Sequence, residues 1–262
     1  VDLEEAGISK NPVMKTLYNF VGNMLTRLIL ASNLVGVTIE KYVETLRTKY
    51  GKDNVVLLPH GTFEIPPEPD FGIPPGPRQI MSFGKFGTYK KVEIMIEAVE
   101  RIRARHTMDL EVVIAGTDNP NVPGYLEGVK QQYSHVEGLK FTGYVEEEDV
   151  PKIFNDSTVV VFPYTSTTGS SGVLHQAGSY GKPCVLPDLG DLGRLVEGEG
   201  YGGAFFEPDN ADSLALALEK VLVDDDYRRQ LARKNYSAAS GLSLADITDW
   251  YLMHFKSILS KK

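Results

Sequence analysis

Cysteine is nearly missing from this chain: Cys184 is the one thiol among 262 residues. A lone cysteine excludes an intrachain disulfide and suits a reducing compartment. It lies in the apolar run Pro183–Leu186, the setting of a buried structural thiol rather than a nucleophile. Positive charge is short as well. Lys and Arg number 27 against 35 Asp and Glu, for a net charge of −8. A surface that tracks a nucleic-acid backbone needs the opposite balance, so nucleic acid is excluded as a partner, whereas one local basic pocket for a small anion is not. Long apolar runs are absent too. The stretch from Leu28 to Ile39 is bounded by Arg27 and Glu40, well short of the roughly 20 residues of a membrane span. The start, Val1-Asp2-Leu3-Glu4-Glu5, is acidic where a secretory leader is basic and carries no initiator Met. It reads as part of a longer, cytoplasmic chain.

Several ligand motifs are missing in turn. The five histidines (60, 106, 135, 175 and 254) show no metal-ligand spacing. The loops lack Gly-x-Gly-x-x-Gly. Gly178 to Lys182 resembles the end of a Walker A loop, but Pro183 stands where Ser or Thr is required. Asp224-Asp225-Asp226 offers a D-x-D, yet it falls between two C-terminal helices and is expected to cap the second. No metal and no cofactor are expected.

What is present is an ordinary globular composition, 42% hydrophobic and 24% charged, with alternating elements. Apolar periodicity predicts helices over 12–30, 39–50, 91–105, 124–133, 150–155, 172–180, 211–223, 227–239 and 244–259. Short β-branched runs predict strands over 34–38, 54–58, 79–83, 110–115, 139–142, 158–162, 183–186 and 203–206. Strands that each precede a helix give an α/β fold: a Rossmann-like parallel sheet with helices on both faces. From 65 to 78 the chain holds six prolines and two glycines, a stiff linker that sets the boundary between residues 1–64 and those beyond. The segment from Lys15 to Leu30 is read as a core-packing helix, with peripheral contact to an anionic membrane face as the alternative.

In such a sheet, ligands bind beyond the carboxyl ends of the strands, here after Phe83, Ala115, Phe141 and Phe162. After Phe83, Gly84 permits close backbone approach, and Lys85 and Lys90 flank a helix start whose amides favour an anion. After Phe162, six of the eight residues from Thr165 carry hydroxyls, and the chain runs through Thr168, Ser170, Ser171, Gly172 and Val173 straight into a helix. Free amides and hydroxyls there suit a phosphate. The plainer readings are a solvated basic turn and an ordinary capped loop.

Taken in order, these two loops resemble the C-terminal domain of the glycogen-synthase-like (group 1) glycosyltransferases, which are retaining enzymes of GT-B fold. The family's Gly-Arg-x4-Lys-Gly appears as Gly84-Lys85, four residues, then Lys90-Lys91. Its Glu-x7-Glu appears with Thr168 and Gln176 in place of the acids, followed by an intact Ala177 and Gly181-Lys182-Pro183. Ala115-Gly116, Phe141-Thr142-Gly143-Tyr144, Asp188-Leu189-Gly190, Phe206-Glu207-Pro208 and the hinge-like Pro59-His60-Gly61 fall in family order.

The resemblance implies that Lys85 and Lys90 hold the donor diphosphate and offset its charge as the glycosidic bond breaks. It implies a nucleoside-diphosphate sugar, UDP- or GDP-linked, bound by Gly84, Gly116, Thr168, Ser170, Ser171, Gly172 and Val173. Gln176 would meet the ribose, and Gly143 and Tyr144 the base. The acceptor, a glycan, lipid or small molecule, would come from an N-terminal domain represented here only by its tail, residues 1–64. Residues 79–243 would be the donor-binding domain, and residues 244–262 a helix crossing back with Trp250, Tyr251 and Phe255 as its packing face. Two rivals share the diphosphate loops: a nucleotide-sugar 2-epimerase, and a partner subunit that binds nucleotide without catalysis.

Overall fold

The computed structural model describes residues 12–62, 65–166 and 171–260. Its centre is a six-stranded, all-parallel sheet. Numbered along the chain, the strands are β1 (Val35–Val37), β2 (Val55–Leu57), β3 (Arg78–Phe86), β4 (Leu110–Asp118), β5 (Leu139–Gly143), β6 (Ser157–Val161), β7 (Cys184–Pro187) and β8 (Ala204–Phe206). The large sheet has the order β5-β4-β3-β6-β7-β8, and β1 pairs with β2 in a separate parallel ribbon. Helices α1 (Pro12–Ile29) and α2 (Glu40–Tyr50) belong to the N-terminal ribbon. Helices α3 (Glu93–Arg103), α4 (Tyr125–Gln132), α5 (Val150–Asp156), α6 (Gly172–Ser179), α7 (Gly190–Gly198), α8 (Ala211–Val223), α9 (Asp225–Ser240) and α10 (Leu244–Leu259) complete the fold.

Side chains along a strand point alternately to its two faces, and both faces here are apolar. Ile80, Val112, Ile114, Val159 and Val161 pack on one side with Ile96 and Val99 of α3 and Leu214 and Leu218 of α8. Met81, Val113, Val160 and Phe162 pack on the other with Phe154 of α5, Leu174 and Ala177 of α6, and Leu192 and Leu195 of α7. Cys184 lies inside the second layer, where burial pushes its thiol far up. Asp224 caps α9, accepting from the Tyr227 amide as expected.

Four expectations need correction. Helix α1 forms but buries no residue, so it is not a core helix: most of its apolar side chains are exposed. Among the described residues no helix is long and apolar enough to cross a membrane. Helix α7 is additional. Its three glycines in nine residues hide a helical spacing, which shows only as Leu192, Leu195 and Val196 turning inward together. In α10 only Ile247 is buried; Trp250, Tyr251 and Phe255 remain 37%, 40% and 53% exposed, so they form no packed face against the described residues. Finally, β3 runs to Phe86 and β4 to Asp118, because their pairing continues through Gly84 opposite Gly116.

Candidate functional site

The strand order reverses at β3. Strands β4 and β5 follow it to one side, while β6, β7 and β8 extend from the other. Loops that leave neighbouring strands on the two sides of such a point diverge and open a crevice at their carboxyl ends. The loops after β3 and β6 are the two singled out above, and they are zipped together. Lys91 N–H donates to Pro163 O at 2.9 Å, Thr165 N–H donates to Tyr89 O at 2.8 Å, and Lys90 pairs with Tyr164 between them.

Under the zipper β3 and β4 come unusually close. A side chain on Gly116 would place its Cβ 1.9 Å from the Gly84 carbonyl oxygen, and both glycines have positive φ, +139° and +128°. Only glycine fits that approach. Lys90 folds over the exposed face of Gly84, its ammonium 2.6 Å from where a Cβ would stand. It donates to Phe83 O at 3.3 Å and lies 4.9 Å from the Tyr164 ring centre. Lys90 is only 6% exposed, and among the described residues it has no carboxylate partner. Burial lowers its pKa to about 8. A desolvated ammonium that still carries charge at neutral pH favours an anion beside it. Lys85 is exposed and lies within β3 itself, not at a helix start.

Two helix N-termini face this crevice region, and they are finished differently. At α3 the Val92 amide donates to the Tyr125 hydroxyl at 2.9 Å, and that hydroxyl donates to Glu93. Protein groups thus meet the N-cap amide of the helix expected to hold the anion. At α6 the N-cap is Ser171, whose side chain makes no capping bond. Ser171 O accepts from Leu174 at 2.9 Å and His175 at 3.3 Å. The Gly172 and Val173 amides, by helix geometry, have no intrahelical acceptor. Thr168 and Ser170 lie outside the described residues.

A cleft of about 730 Å³ opens at α6, lined by Gly172, Val173, Gln176, His60, Glu147 and Pro151 among others. It thus brings three of the expected residues together. Gly143 and Tyr144 lie at the end of β5; Gly143 is left-handed with open space above it, and Tyr144 is 72% exposed. Gly116 N–H donates to Thr142 Oγ1 at 3.2 Å, holding this corner to β4.

The sequence did not reveal a buried polar cluster behind α6. His60 stacks on His175 with ring centres 4.8 Å apart and planes 11° apart. His175 Nδ1 is hydrogen-bonded to the Tyr201 hydroxyl at 2.9 Å, and its Nε2 lies 3.5 Å from Glu199. Burial pushes His175 down to about 3 and lifts Glu199 to about 8, so the pair is uncharged at neutral pH. His60 and His175 are 115 positions apart, and no local signal links them. A larger cleft of about 1090 Å³ lies between α2 and the ends of α7, α9 and α10, bordered by Glu199 and Trp250. None of the expected site residues lines it, and of those residues Gly84, Lys85, Lys90 and Gly116 do not line the smaller cleft either.

The parallel sheet with helices on both faces is that of a GT-B glycosyltransferase fold. The HepE protein of Anabaena, solved with UDP and glucose, superposes with a TM-score of 0.70 at 18% identity, covering 88% of this chain and 66% of that one. Sucrose-phosphate synthase of Thermosynechococcus elongatus gives 0.73 at 18% identity, with 90% and 61% covered. Residues 77–224 match the family described as Glycosyl transferases group 1, and the chain belongs to that family. It is 29% identical over 161 residues to an uncharacterised glycosyltransferase of Methanocaldococcus jannaschii, covering 61% of this chain and 40% of that one. It is 27% identical over 159 residues to the phosphatidyl-myo-inositol mannosyltransferase of Mycolicibacterium smegmatis, covering 60% and 39%. The chain therefore spans about 40% of the length of these curated relatives.

Proposed function

We propose that this chain binds a nucleoside-diphosphate sugar and, within the whole protein, transfers the sugar to an acceptor, with retention. The observation that carries the reading is Lys90: a buried ammonium with no carboxylate partner among the described residues, set at the switch point of the sheet. Lys90 and the Gly172 and Val173 amides hold the diphosphate, with the hydroxyl-rich loop through Thr168, Ser170 and Ser171 around it. Lys85, exposed on β3, reaches the same anion from solvent. Gly84 and Gly116 keep the backbone low enough for the phosphates to approach. Gln176 contacts the ribose and the Gly143–Tyr144 corner the base. As the glycosidic bond breaks, negative charge grows on the leaving diphosphate, and cations already in place stabilise it. UDP and GDP are both admitted, and HepE, solved with UDP, makes UDP the first to try.

Residues 1–64 are then the tail of the acceptor-side domain, 65–78 the linker, 79–243 the donor domain and 244–262 the crossing helix. The neutral Gln176 in the cleft is the observation behind a second reading, a donor-binding subunit that transfers nothing.

Calorimetric titration with UDP, GDP and ADP, beside Lys90→Ala, tests the proposal. One diphosphate should bind and the variant should lose it. Because an anion lifts the Lys90 pKa back from about 8, binding near that pH should take up a fraction of a proton, seen as a dependence of the heat on the buffer. Silence with all three nucleotides, from folded protein, would sink the assignment.

A further inference from the structure

We infer that Tyr164 and Tyr89 are positioning residues for Lys90: their rings form a two-walled aromatic cage that holds the ammonium over Gly84, charged and open to an anion. The inference rests on the donor-site reading above and extends it to two further residues of the zipped loops.

The antiparallel bridge between Lys90 and Tyr164 sets the geometry. Residues directly opposite in an antiparallel pair send their side chains to the same face, so the lysine stem and the tyrosine ring rise together. The ammonium then lies 4.9 Å from the Tyr164 ring centre and 5.9 Å from that of Tyr89, both within the roughly 6 Å reach of a cation–π contact. The two rings meet edge to face, 5.4 Å apart at 85°, as adjacent walls of a corner. Neither wall is loose. Tyr164 is buried and packs edge-on against Phe162, 5.5 Å away. Tyr89 is 40% exposed, but Thr165 N–H and Oγ1 both donate to its carbonyl, at 2.8 and 3.3 Å. A lysine often lays its stem on apolar surface and keeps its head in water. Here the charged atom itself lies among the rings, and among the described residues only Phe83 O accepts a hydrogen bond from it.

Chemistry gives the arrangement a use. A buried ammonium needs a compensating group, ordinarily a carboxylate. A carboxylate beside Lys90 would occupy the ammonium and repel a diphosphate. The face of an aromatic ring offers only the negative side of a quadrupole, which stabilises the cation and leaves its N–H groups for an anion. Burial lowers the Lys90 pKa to about 8, and the cage opposes any further fall. Burial also pushes the Tyr164 hydroxyl up, so this wall stays neutral through the range in which Lys90 titrates.

Two substitutions on the full 262-residue chain separate the ring from its packing: Tyr164→Leu removes the aromatic face and Tyr164→Phe keeps it. Carbon-labelled lysine NMR follows the titration of Lys90, its signal identified by its loss in Lys90→Met. Calorimetry with UDP and inorganic pyrophosphate follows binding. In Tyr164→Leu the Lys90 titration should move down by about one pH unit, and in Tyr164→Phe it should stay close to native. The diphosphate needs the charged lysine. The affinity gap between Tyr164→Leu and native should therefore widen from about twofold at pH 7 to about tenfold at pH 9, a profile that a merely loosened loop would not give. A Lys90 titration in Tyr164→Leu at or above the native one overturns the inference, as does a Tyr164→Phe that loses as much as Tyr164→Leu. If the native protein binds UDP in that series, the donor-site reading stands without the cage. A native protein that binds neither probe overturns the donor-site reading and the inference with it. Should Tyr164→Leu not fold, Tyr89→Leu at the exposed wall decides: a Lys90 titration lower by about half a pH unit is expected, and an unchanged one rejects the cage.

Discussion

Helices α3 and α6 both begin just beyond the carboxyl end of the sheet, each after a loop rich in ligand-like residues, yet their first turns are finished in opposite ways. At α3, Tyr125 accepts from the Val92 amide and binds Glu93, so the protein supplies both the acceptor and the negative charge. At α6 the cap residue Ser171 makes no side-chain capping bond, the first residue is glycine, and His60 stands beside it. Two helix starts of similar sequence promise thus have different uses. On the proposed function the first is a structural end and the second takes the diphosphate. The basic loop before α3 is zipped to the loop after β6, with Lys90 over Gly84 and beside Tyr164.

The largest effect on this contrast should come from Lys90→Met. Its lowered pKa means that the folded state binds fewer protons than the unfolded chain between about 8 and 10.5. The group therefore costs stability below about pH 8, and the cost fades as pH rises toward 10.5. Removing it should raise the melting temperature at pH 7, by about 1–2 kcal/mol of stability, while weakening diphosphate binding by about 100-fold. A variant less stable than native in thermal melts would contradict the view of Lys90 as a buried cation with no carboxylate partner among the described residues.

Gly172→Asp comes next. An acid at a helix start ordinarily stabilises by about 0.3–1 kcal/mol, so this variant should fold as well as native or better. It should nevertheless bind UDP about tenfold less tightly, because it gives α6 the closed end that α3 already has. Unchanged affinity by calorimetry would place the anion elsewhere.

The floor under α6 can be titrated. Burial holds the folded-state pKa of Glu199 near 8, up from 4.5, so the fold binds the extra proton between those values. Stability from this group is complete below pH 4.5 and is lost as pH rises through about 8. Glu199→Gln should remove that slope, leaving the variant more stable than native at pH 9 by on the order of 2 kcal/mol in urea melts. His175 acts oppositely: its pKa falls to about 3, so its contribution is lost as pH drops below 6.5. A native curve as flat as the Glu199→Gln curve would refute the buried acid.

The smallest effect is expected at the closed end. Tyr125→Phe removes the acceptor of the Val92 amide and should cost about 1 kcal/mol of stability, with UDP affinity within about twofold of native. A larger loss of binding would mean that α3 also faces the ligand.

Much of the architecture was legible because it depends on periodicity. Val112, Val113 and Ile114, and Val159, Val160 and Val161, sit in unbroken β-branched runs, and these are strands buried on both faces. Asp224 at a cap was legible because capping is a local rule. Helix α7 was not, since three glycines mask its spacing and only packing against the sheet selects the helix. The extents of β3 and β4 were missed for a related reason: glycines that look like loop openers are instead the place where two strands touch. The aromatic residues of α10 read as a packing face, but burial requires a neighbour, and the described residues supply none.

The sequence by itself determined a parallel α/β sheet, the family, and two loops rich in anion-binding residues. Those follow from residue type and short spacing, which act along the chain. It did not determine how the two loops lie against each other. That was decided when the strand order reversed at β3, bringing the loops after β3 and β6 side by side. Nor did it reveal the His60–His175–Glu199 stack, whose members come from three separate segments. Hydrogen bonding, burial and stacking act across space between residues far apart in the chain, and only the folded arrangement brings those partners together.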